Sequence, residues 1–464
     1  MSELIKNIVI LGFGNIGQAL SCLLRKRYPA IPVHVFDERM TEHQILIARE
    51  FSFQPVRLCV KSENFRQELS SHVSGATLIL NLATSISSHD MIEWAQSQGA
   101  YYLDTCIDPW EYIDGELDSA DNSNYRMRQD IIKLQERQSM VSDQLPTAVV
   151  AHGANPGFVS ILVKQALLEM QRRFLTVDLV PGSKTEWAEL AETLQIRVIQ
   201  ISERDTQSTS VPRAPGEFVN SWSVAGFVAE ALQPVELGWG THEASGPLAA
   251  QARHHAAGCK SAVFLPQTGV ATKIRSWTPA SGEFTGKLIS HNEAISLASY
   301  LCVTDGGGVR YRPTVYYAYH PCDQVMESLA LLSDGTRAAI TSERVLKDEI
   351  ESGMDELGVL LISEKYPSLW FGSQLPIEKA RVMAPYNNAT SLQVVGSIMA
   401  ALAWLELNPR VGIVESEALE HSVVFEYARP YWEPLVMEFK QWHPAHESGD
   451  HQAWTLDQFL SFEQ

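Results

Sequence analysis

The feature that most constrains the fold is a glycine pattern close to the start of the chain. Residues 7–11 (NIVIL) form a short apolar run, and three glycines follow it with the spacing G-x-G-x-x-G. The first glycine of such a pattern permits a tight turn, the second lets the backbone approach a pyrophosphate, and the third allows a helix to pack closely on the strand. The helix N-terminus also offers N–H donors to phosphates. We therefore predict a dinucleotide site at Gly12, Phe13, Gly14, Asn15, Ile16 and Gly17.

The chain alternates between strand-like and helix-like patterns up to about residue 150. Apolar runs predict further strands at 33–36, 56–60, 77–82, 101–104 and 147–151. Helical patterns follow the glycines and recur at 42–51, 63–72, 89–98 and 124–144, the last polar enough to be exposed. Such alternation implies parallel strands joined by right-handed crossovers. The predicted fold class is α/β, with a doubly wound parallel sheet of the Rossmann type.

The identity of the dinucleotide is indicated by Asp37, which ends the second predicted strand. A carboxylate at this place accepts hydrogen bonds from the ribose hydroxyls and repels a 2′-phosphate. We therefore expect the cofactor NAD rather than NADP, although Arg39 nearby would favour the phosphate. Ligands of open α/β sheets bind at the carboxyl ends of the strands. Further candidates at those ends, which could equally be ordinary strand–helix turns, are Ala83, Thr84, Asp104 and Thr105.

The length of 464 residues exceeds one ordinary core and predicts two or three domains. We divide the chain into an NAD-binding domain at 1–152, a substrate domain at 153–387 and a C-terminal helical segment at 388–464. The middle part is less regular and rich in Gly, Pro, Trp and Tyr, which favours an α+β domain for substrate binding and dimerisation. We expect the helix at 388–406 to pack back on the first domain.

The composition excludes several classes of function. The net charge of -19 argues against nucleic acid and against anionic membranes, and it would attract cationic ligands, although solubility alone also explains it. The six cysteines form no Cys-x-x-Cys pair or zinc-like cluster, so we expect no metal and a reducing compartment. Because the N-terminus runs straight into a predicted strand, we expect no signal peptide. The least charged stretch, 386–405, is too polar for a membrane span. We expect a cytoplasmic protein.

Polar residues after residue 150 are candidates for a catalytic site. Asn155 follows a predicted strand, where it could cap the next helix or reach a ligand. A predicted strand at 196–202 is followed directly by Glu203. The pattern at 218–232 predicts a helix capped by Asn220 or Ser221.

That helix would carry Trp222 and Glu230 about 12 Å apart along its axis, so that both could line one pocket. The spacing alone fits a core tryptophan and a solvated glutamate better. His291 alone is equally consistent with an ordinary residue at a helix start.

A family resemblance rests on these motifs taken together. With the glycine pattern and Asp37, the chain resembles bacterial homospermidine synthases from about residue 5 to about residue 430. The N-terminal part is also similar to saccharopine dehydrogenases in the broader sense. The segments that carry the resemblance are 153–157 (GANPG), 201–207 (ISERDTQ), 220–223 (NSWS), 311–314 (YRPT) and 316–321 (YYAYHP).

The resemblance implies a transferase that joins two putrescines, or putrescine and spermidine, with release of ammonia or a diamine. NAD would serve as a catalytic hydride carrier, with an imine between the two hydride transfers and no net oxidation. The resemblance also implies a homodimer without a metal. Because putrescine is a dication near neutral pH, its pocket needs carboxylates, and a carboxylate can take the proton that an attacking amine must lose.

Residue by residue, the resemblance places carboxylates of the pocket at Glu203, Glu230 and Glu111. It places Trp222 beside the imine, where an indole face stabilises a cation by about 2 kcal/mol or more when desolvated. His291 and Asn155 match further positions of the pocket.

Two other functions remain open at this point. A saccharopine-type or carboxy-polyamine dehydrogenase would carry out net redox chemistry and would need cationic clamps for carboxylates. Arg204 and Arg310 keep that reading open. A non-catalytic NAD-binding sensor would keep the glycine pattern and Asp37 but would not need carboxylates around Trp222.

Overall fold

The computed structural model describes residues 4–111, 123–142, 144–245, 247–254, 261–442, 444 and 454–461. Within these ranges the chain builds a seven-stranded sheet, a ten-stranded sheet and two small two-stranded pairs. Helices pack on both large sheets.

The N-terminal elements alternate between strand and helix. They are β1 (Asn7–Leu11), α1 (Asn15–Arg27), β2 (Val33–Asp37), α2 (Glu42–Glu50), β3 (Gln54–Arg57), α3 (Phe65–Leu69), β4 (Thr77–Asn81), α4 (Ser88–Ser97), β5 (Tyr101–Asp104), α5 (Asn124–Ser139) and β6 (Ala148–Val150).

The middle elements are α6 (Phe158–Met170), α7 (Lys184–Thr193), β7 (Ile196–Asp205), β8 (Glu217–Asn220), α8 (Val224–Leu232), β9 (Pro234–Gly238), β10 (Arg253–His254), β11 (Ala262–Thr268), β12 (Lys273–Thr278), β13 (Gly282–Ile289), α9 (Asn292–Tyr300), β14 (Val303–Asp305), β15 (Gly308–Tyr311) and β16 (Thr314–His320). The remaining elements are α10 (Asp323–Ser328), β17 (Ser342–Val345), β18 (Met354–Ser363), β19 (Ser368–Pro376), α11 (Ile377–Met383), α12 (Ala389–Leu407), β20 (Ile413–Glu415), α13 (His421–Trp432) and β21 (Leu435–Lys440).

The first sheet has the strand order β3-β2-β1-β4-β5-β6-β20, and its described pairs are all parallel. Its first six strands follow the doubly wound Rossmann order, in which the chain reverses direction beside β1 and opens a crevice at the carboxyl ends of the strands. The predicted α/β fold class is confirmed.

The second sheet has β7 near its centre, parallel to β16 on one side and antiparallel to β18 on the other. β7 is ten residues long and nearly all buried. Side chains alternate between the faces of a strand, so Ile201, Glu203 and Asp205 share one face of β7. This sheet places polar groups inside an otherwise apolar core.

Several predicted boundaries are wrong. The third strand covers Gln54–Arg57 rather than 56–60, because its register pairs Gln54 with His34 and Arg57 with Asp37. The predicted helix at 63–72 shrinks to Phe65–Leu69. The predicted helix at 124–144 ends at Ser139 and is not simply exposed, since one face is buried.

The helix that carries Glu230 begins at Val224, with Ser223 rather than Asn220 or Ser221 as its cap. Ser223 Oγ accepts a hydrogen bond of 3.1 Å from the Gly226 N–H. Asn220 instead ends β8, because that strand pairs with β17. Trp222 therefore precedes the helix rather than lying in its first turn.

The segment 388–464, predicted to be helical, also supplies a strand to each large sheet. α12 begins after Asn388 as expected and contacts α1. It is long and apolar enough to cross a membrane, but 83% of its most apolar window is buried inside the protein, as in a core helix. β20 extends the first sheet beside β6, and β21 pairs with β19 at the edge of the second.

Candidate active site

The glycine-rich turn has the shape that a dinucleotide requires. Gly12 has a φ of +87°, and a Cβ there would lie 2.9 Å from backbone atoms of Leu82 and Ala83. A Cβ at Gly17 would lie 2.8 Å from the Gly12 carbonyl oxygen, so the helix packs closely on the turn. A Cβ at Gly14 would meet no atom of the described chain within 4 Å. The turn is thus tight on the protein side and open at Gly14, which fits a pyrophosphate at the start of α1.

Asp37 lies at the end of β2, directly beside this turn. Its Oδ2 accepts a hydrogen bond of 2.7 Å from the Phe13 N–H, and its Oδ1 accepts one of 2.9 Å from the Arg39 N–H. These bonds fix the carboxylate at the open edge of the sheet, where a ribose would lie.

The other predicted cofactor residues lie at neighbouring strand ends. Ala83 is half-buried against Gly12, and Thr84 is exposed. Asp104 is buried, and its carboxylate accepts hydrogen bonds from the Ala151 N–H at 2.6 Å and the Tyr102 hydroxyl at 2.8 Å. Burial raises the pKa of Asp104 to about 7. Its side chain thus supports the strand ends from within the protein, while Thr105 is half-buried near Gly153.

Glu203 is the centre of a buried polar cluster in the second sheet. Its side chain is 2% exposed, and Oε2 accepts hydrogen bonds from the Tyr317 hydroxyl at 2.6 Å and the Asn155 amide at 3.3 Å. Asn155 follows β6 of the first sheet, whereas Glu203 and Tyr317 lie on β7 and β16. The Asn155–Glu203 hydrogen bond therefore joins the two sheets at the predicted site.

Two further carboxylates, Asp205 and Asp355, lie beside Glu203. β7 and β18 pair Asp205 directly with Asp355, and both residues are fully buried. Burial raises the pKa of Glu203 to about 7, to which the charge of Asp205 adds, and burial raises the pKa of Asp205 to about 6. Burial and the charges of Glu203 and Asp205 raise the pKa of Asp355 well above its ordinary value. Asp205 Oδ2 and Asp355 Oδ1 are buried without a hydrogen-bond partner in the described chain. The cluster therefore favours a bound cation or shared protons.

Glu230 forms a second acidic group with His291 and Glu293. The imidazole Nε2 lies 3.1 Å from Glu230 Oε2, and Nδ1 lies 3.1 Å from Glu293 Oε1. Burial alone would lower the pKa of His291, but the two carboxylates outweigh burial and raise it well above its ordinary value. His291 is thus held as an imidazolium that donates from both nitrogens.

Aromatic rings connect the two acidic groups to Trp222. The His291 ring lies 4.5 Å from the Tyr317 ring, and Tyr317 stacks on Tyr319 at 5.3 Å. Phe227 then contacts Tyr319 at 5.5 Å and Trp222 at 6.3 Å. Trp222 is half-buried, and its indole covers Gly226 so closely that a Cβ there would lie 2.9 Å from the ring.

Of the six predicted catalytic residues, the hydrogen bonds and ring contacts bring together Asn155, Glu203, Trp222, Glu230 and His291. Glu111 is exposed and forms no hydrogen bond or ion pair with them in the described part of the chain. Earlier in the same loop, the Cys106 thiol donates to Asp108 Oδ2 at 2.8 Å. Burial, and then Asp108, raise the pKa of the Cys106 thiol well above its ordinary value. The Glu230 carboxylate lies near enough to add to this rise.

Sequence reasoning missed Tyr317, Asp205 and Asp355. A usable signal existed for the first two, because strand alternation puts Asp205 on the face of Glu203 and puts Tyr317 and Tyr319 on one face of β16. Asp355 gave no signal, since only the pairing of β18 with β7 brings it to this face.

Comparison with known proteins agrees with this architecture. The family called Saccharopine dehydrogenase NADP binding domain matches residues 8–148, and the Saccharopine dehydrogenase C-terminal domain matches residues 153–439. The homospermidine synthase of Blastochloris viridis is 39% identical over 447 residues, which cover 94% of this chain and 92% of that protein. That of Mesorhizobium japonicum is 36% identical over 453 residues, with 95% and 92% covered.

Solved structures give the same result. The homospermidine synthase of Legionella pneumophila in complex with NAD superposes with a TM-score of 0.90 and 35% identity, covering 99% of this chain and 98% of that one. Apo saccharopine dehydrogenase of Saccharomyces cerevisiae, at 10% identity and a TM-score of 0.51 with 93% and 99% covered, shares the fold alone. This chain belongs to the homospermidine synthase family, within the proteins that have saccharopine dehydrogenase domains.

Proposed function

We propose that this chain is a homospermidine synthase, which uses bound NAD to join two putrescines, or putrescine and spermidine, with release of ammonia or a diamine. The observation that carries the proposal is the buried carboxylate cluster around Glu203, which is connected to Trp222 through a chain of aromatic rings and is joined through Asn155 to the dinucleotide sheet. When bound, NAD would accept a hydride from the carbon next to an amine and would return it to the new imine.

Glu203 is proposed to bind the ammonium of the substrate and to take its proton. With a pKa raised to about 7 by burial, this carboxylate can exchange a proton near neutral pH. The hydroxyl of Tyr317 and the amide of Asn155 orient Oε2, so the proton moves to or from a fixed atom.

Glu230, oriented by the imidazolium of His291, is proposed to hold the second amine. Trp222 is proposed to face the carbon that becomes electron-poor, where its ring favours the cationic imine over the ground state. We propose that Glu111 contributes a further carboxylate at the entrance, since it is exposed and follows Trp110 at the edge of the first sheet.

The dehydrogenase alternative receives no support from the two arginines that kept it open. Arg204 donates to the backbone carbonyls of Asp205 and Pro321, at 2.6 and 3.1 Å. Arg310 is exposed and pairs with Glu192. Among the described residues neither guanidinium forms a hydrogen bond or an ion pair with a carboxylate of the cluster, whose charges suit diamines rather than amino acids.

The experiment mixes the protein with putrescine and a small amount of NAD and follows polyamines by mass spectrometry and NADH by absorbance. A homospermidine synthase accumulates homospermidine far beyond the cofactor added, with no matching NADH. Stoichiometric NADH would favour a dehydrogenase, and NAD binding without product would favour a sensor. We further propose a homodimer, as the family resemblance implies, which light scattering on the purified protein tests. A cytoplasmic location is proposed from the scattered thiols, which fit a reducing compartment.

A further inference from the structure

An ammonium that forms no ion pair among the described residues lies beside the glycine-rich turn and comes from the other part of the molecule. Lys347 follows β17 and is half-buried. Its Nζ donates to Gln18 Oε1 at 3.2 Å. Across the described ranges this is its one side-chain hydrogen bond, and no carboxylate lies within ion-pair distance. An ammonium has three donors, so this group retains capacity for an anionic partner.

Gln18 connects this ammonium to the turn itself. The side chain of Gln18 is buried, and its Nε2 donates to the Phe13 carbonyl at 3.0 Å and the Gly14 carbonyl at 2.8 Å. The Lys347 charge is therefore two hydrogen bonds from Gly14, the glycine that leaves open space for a ligand. A positive charge at this distance adds to the field that the start of α1 presents to phosphates.

The backbone around Lys347 is fixed to the strand that leads to Trp222. β17 runs parallel to β8, with Val345 opposite Asn220. The Asn388 amide donates to the carbonyls of Ser221 at 2.6 Å and Leu346 at 3.0 Å. One pair of strands thus delivers Trp222 to the substrate cluster and Lys347 to the dinucleotide turn.

We propose that Lys347 is a dinucleotide-retention residue, whose ammonium provides positive charge for the pyrophosphate at Gly14 and raises the residence time of the cofactor. This inference rests on the proposed use of NAD. A carrier that accepts a hydride and returns it in one cycle must stay bound between the two steps. The positive charge of Lys347, which lies after β17 and outside the dinucleotide sheet, opposes release of the cofactor.

The test is the affinity for NADH, measured by fluorescence titration of the full chain at low and at high salt. Lys347→Met keeps the apolar stem and removes the charge, Lys347→Arg restores the charge, and Lys379→Gln on α11 removes a lysine charge elsewhere. We expect K347M to weaken NADH binding about tenfold at low salt. Because salt screens the interaction, the ratio to the wild type should shrink at high salt. K347R should bind nearly as the wild type does, and K379Q should show no change.

Two outcomes would overturn the proposal: an unchanged affinity in K347M, or a weakening that is the same at every salt concentration, which would indicate a merely structural contact. Circular dichroism verifies that each variant is folded, and if K347M is not, Lys347→Gln is measured in its place. Wild-type protein that binds NADH but makes no homospermidine would refute the proposed function and leave this test of Lys347 intact.

Discussion

Among single residues, Asp37 is the one predicted to determine which nicotinamide dinucleotide binds. The matched domain family is named for NADP, whereas the Legionella enzyme was solved with NAD, so the discrimination must reside in local residues. The Asp37 carboxylate is fixed by two backbone N–H groups and cannot swing away from a 2′-phosphate without losing them.

We therefore expect the wild type to bind NADH roughly tenfold or more tightly than NADPH, because two anions a few ångströms apart repel each other. Asp37→Ala should narrow that gap, mainly by improving NADPH binding. Glu38→Ala, which removes an exposed carboxylate next door, should leave the ratio unchanged. Equal affinities for the two dinucleotides in the wild type would contradict the role of Asp37.

Trp222 should act through its ring electrons and not through bulk. Uniform binding of the diamine and the cationic imine by carboxylates does not lower the chemical barrier, but a ring face near the imine favours the cation. Trp222→Phe should lower turnover moderately, and Trp222→Ala should lower it by roughly thirtyfold, with NADH affinity largely intact. Steady-state turnover with putrescine and NADH titration measure the two quantities.

A folded, NAD-binding Trp222→Ala protein could instead turn over putrescine about as fast as the wild type does. Trp222 would then be only a packing residue over Gly226. That outcome would fit its ring contact with Phe227 alone.

At the scale of elements, three adjacent strands bring together groups that the sequence keeps apart. β16, β7 and β18 collect Tyr317, Glu203 and Asp355 on one buried face. Glu203 was predictable, because it lies directly after the apolar run that predicts a strand and matches a family motif, although the strand itself extends through Asp205. The pairing that brings Tyr317 and Asp355 beside it was not, because register between distant strands depends on tertiary packing that local patterns do not encode. The predicted cap of α8 was wrong for the same reason, because pairing with β17 keeps the chain in a strand as far as Asn220.

The pH dependence of stability should reveal the cost of this arrangement. Burial raises the pKa of Glu203 from its ordinary value of 4.5 to about 7 in the folded protein. The folded state therefore keeps a proton that the unfolded state releases above pH 4.5. For this reason the contribution of Glu203 to the free energy of unfolding falls as the pH rises from 4.5, and the fall is complete above about pH 7. Glu203→Gln cannot ionise and escapes that loss.

We expect the free energy of unfolding of Glu203→Gln, relative to the wild type, to rise by about 1 to 3 kcal/mol between pH 5 and pH 8. Urea unfolding of both cofactor-free proteins at several pH values measures the difference between their free energies of unfolding. The contributions of the titrating groups that the two proteins share cancel in this difference. A difference that stays constant or falls with pH would mean that Glu203 ionises in the folded protein as easily as in water.

At the scale of the whole molecule, the C-terminal segment ties the two sheets into one body. β20 extends the Rossmann sheet and β21 extends the second sheet, while Asn387 at the start of α12 donates to the Ala19 carbonyl of α1 at 2.9 Å. The sequence predicted the helix from its apolar run, but a three-residue strand such as β20 carries too short a pattern to be read. The dinucleotide edge and the carboxylate cluster therefore face each other in a fixed geometry.

Such a body should retain the cofactor through a full cycle. The hydride removed from one putrescine should then return to the imine made from that same molecule, without exchange with free cofactor. With putrescine deuterated at both carbons next to nitrogen, the homospermidine formed should keep all of its deuterium even when unlabelled NADH is present in excess. Mass spectrometry of the product, read early in the reaction, measures this retention. Loss of one deuterium in a large share of the product would show that NADH leaves between the two hydride transfers. The product of a Lys347→Met protein should lose deuterium more often than that of the wild type.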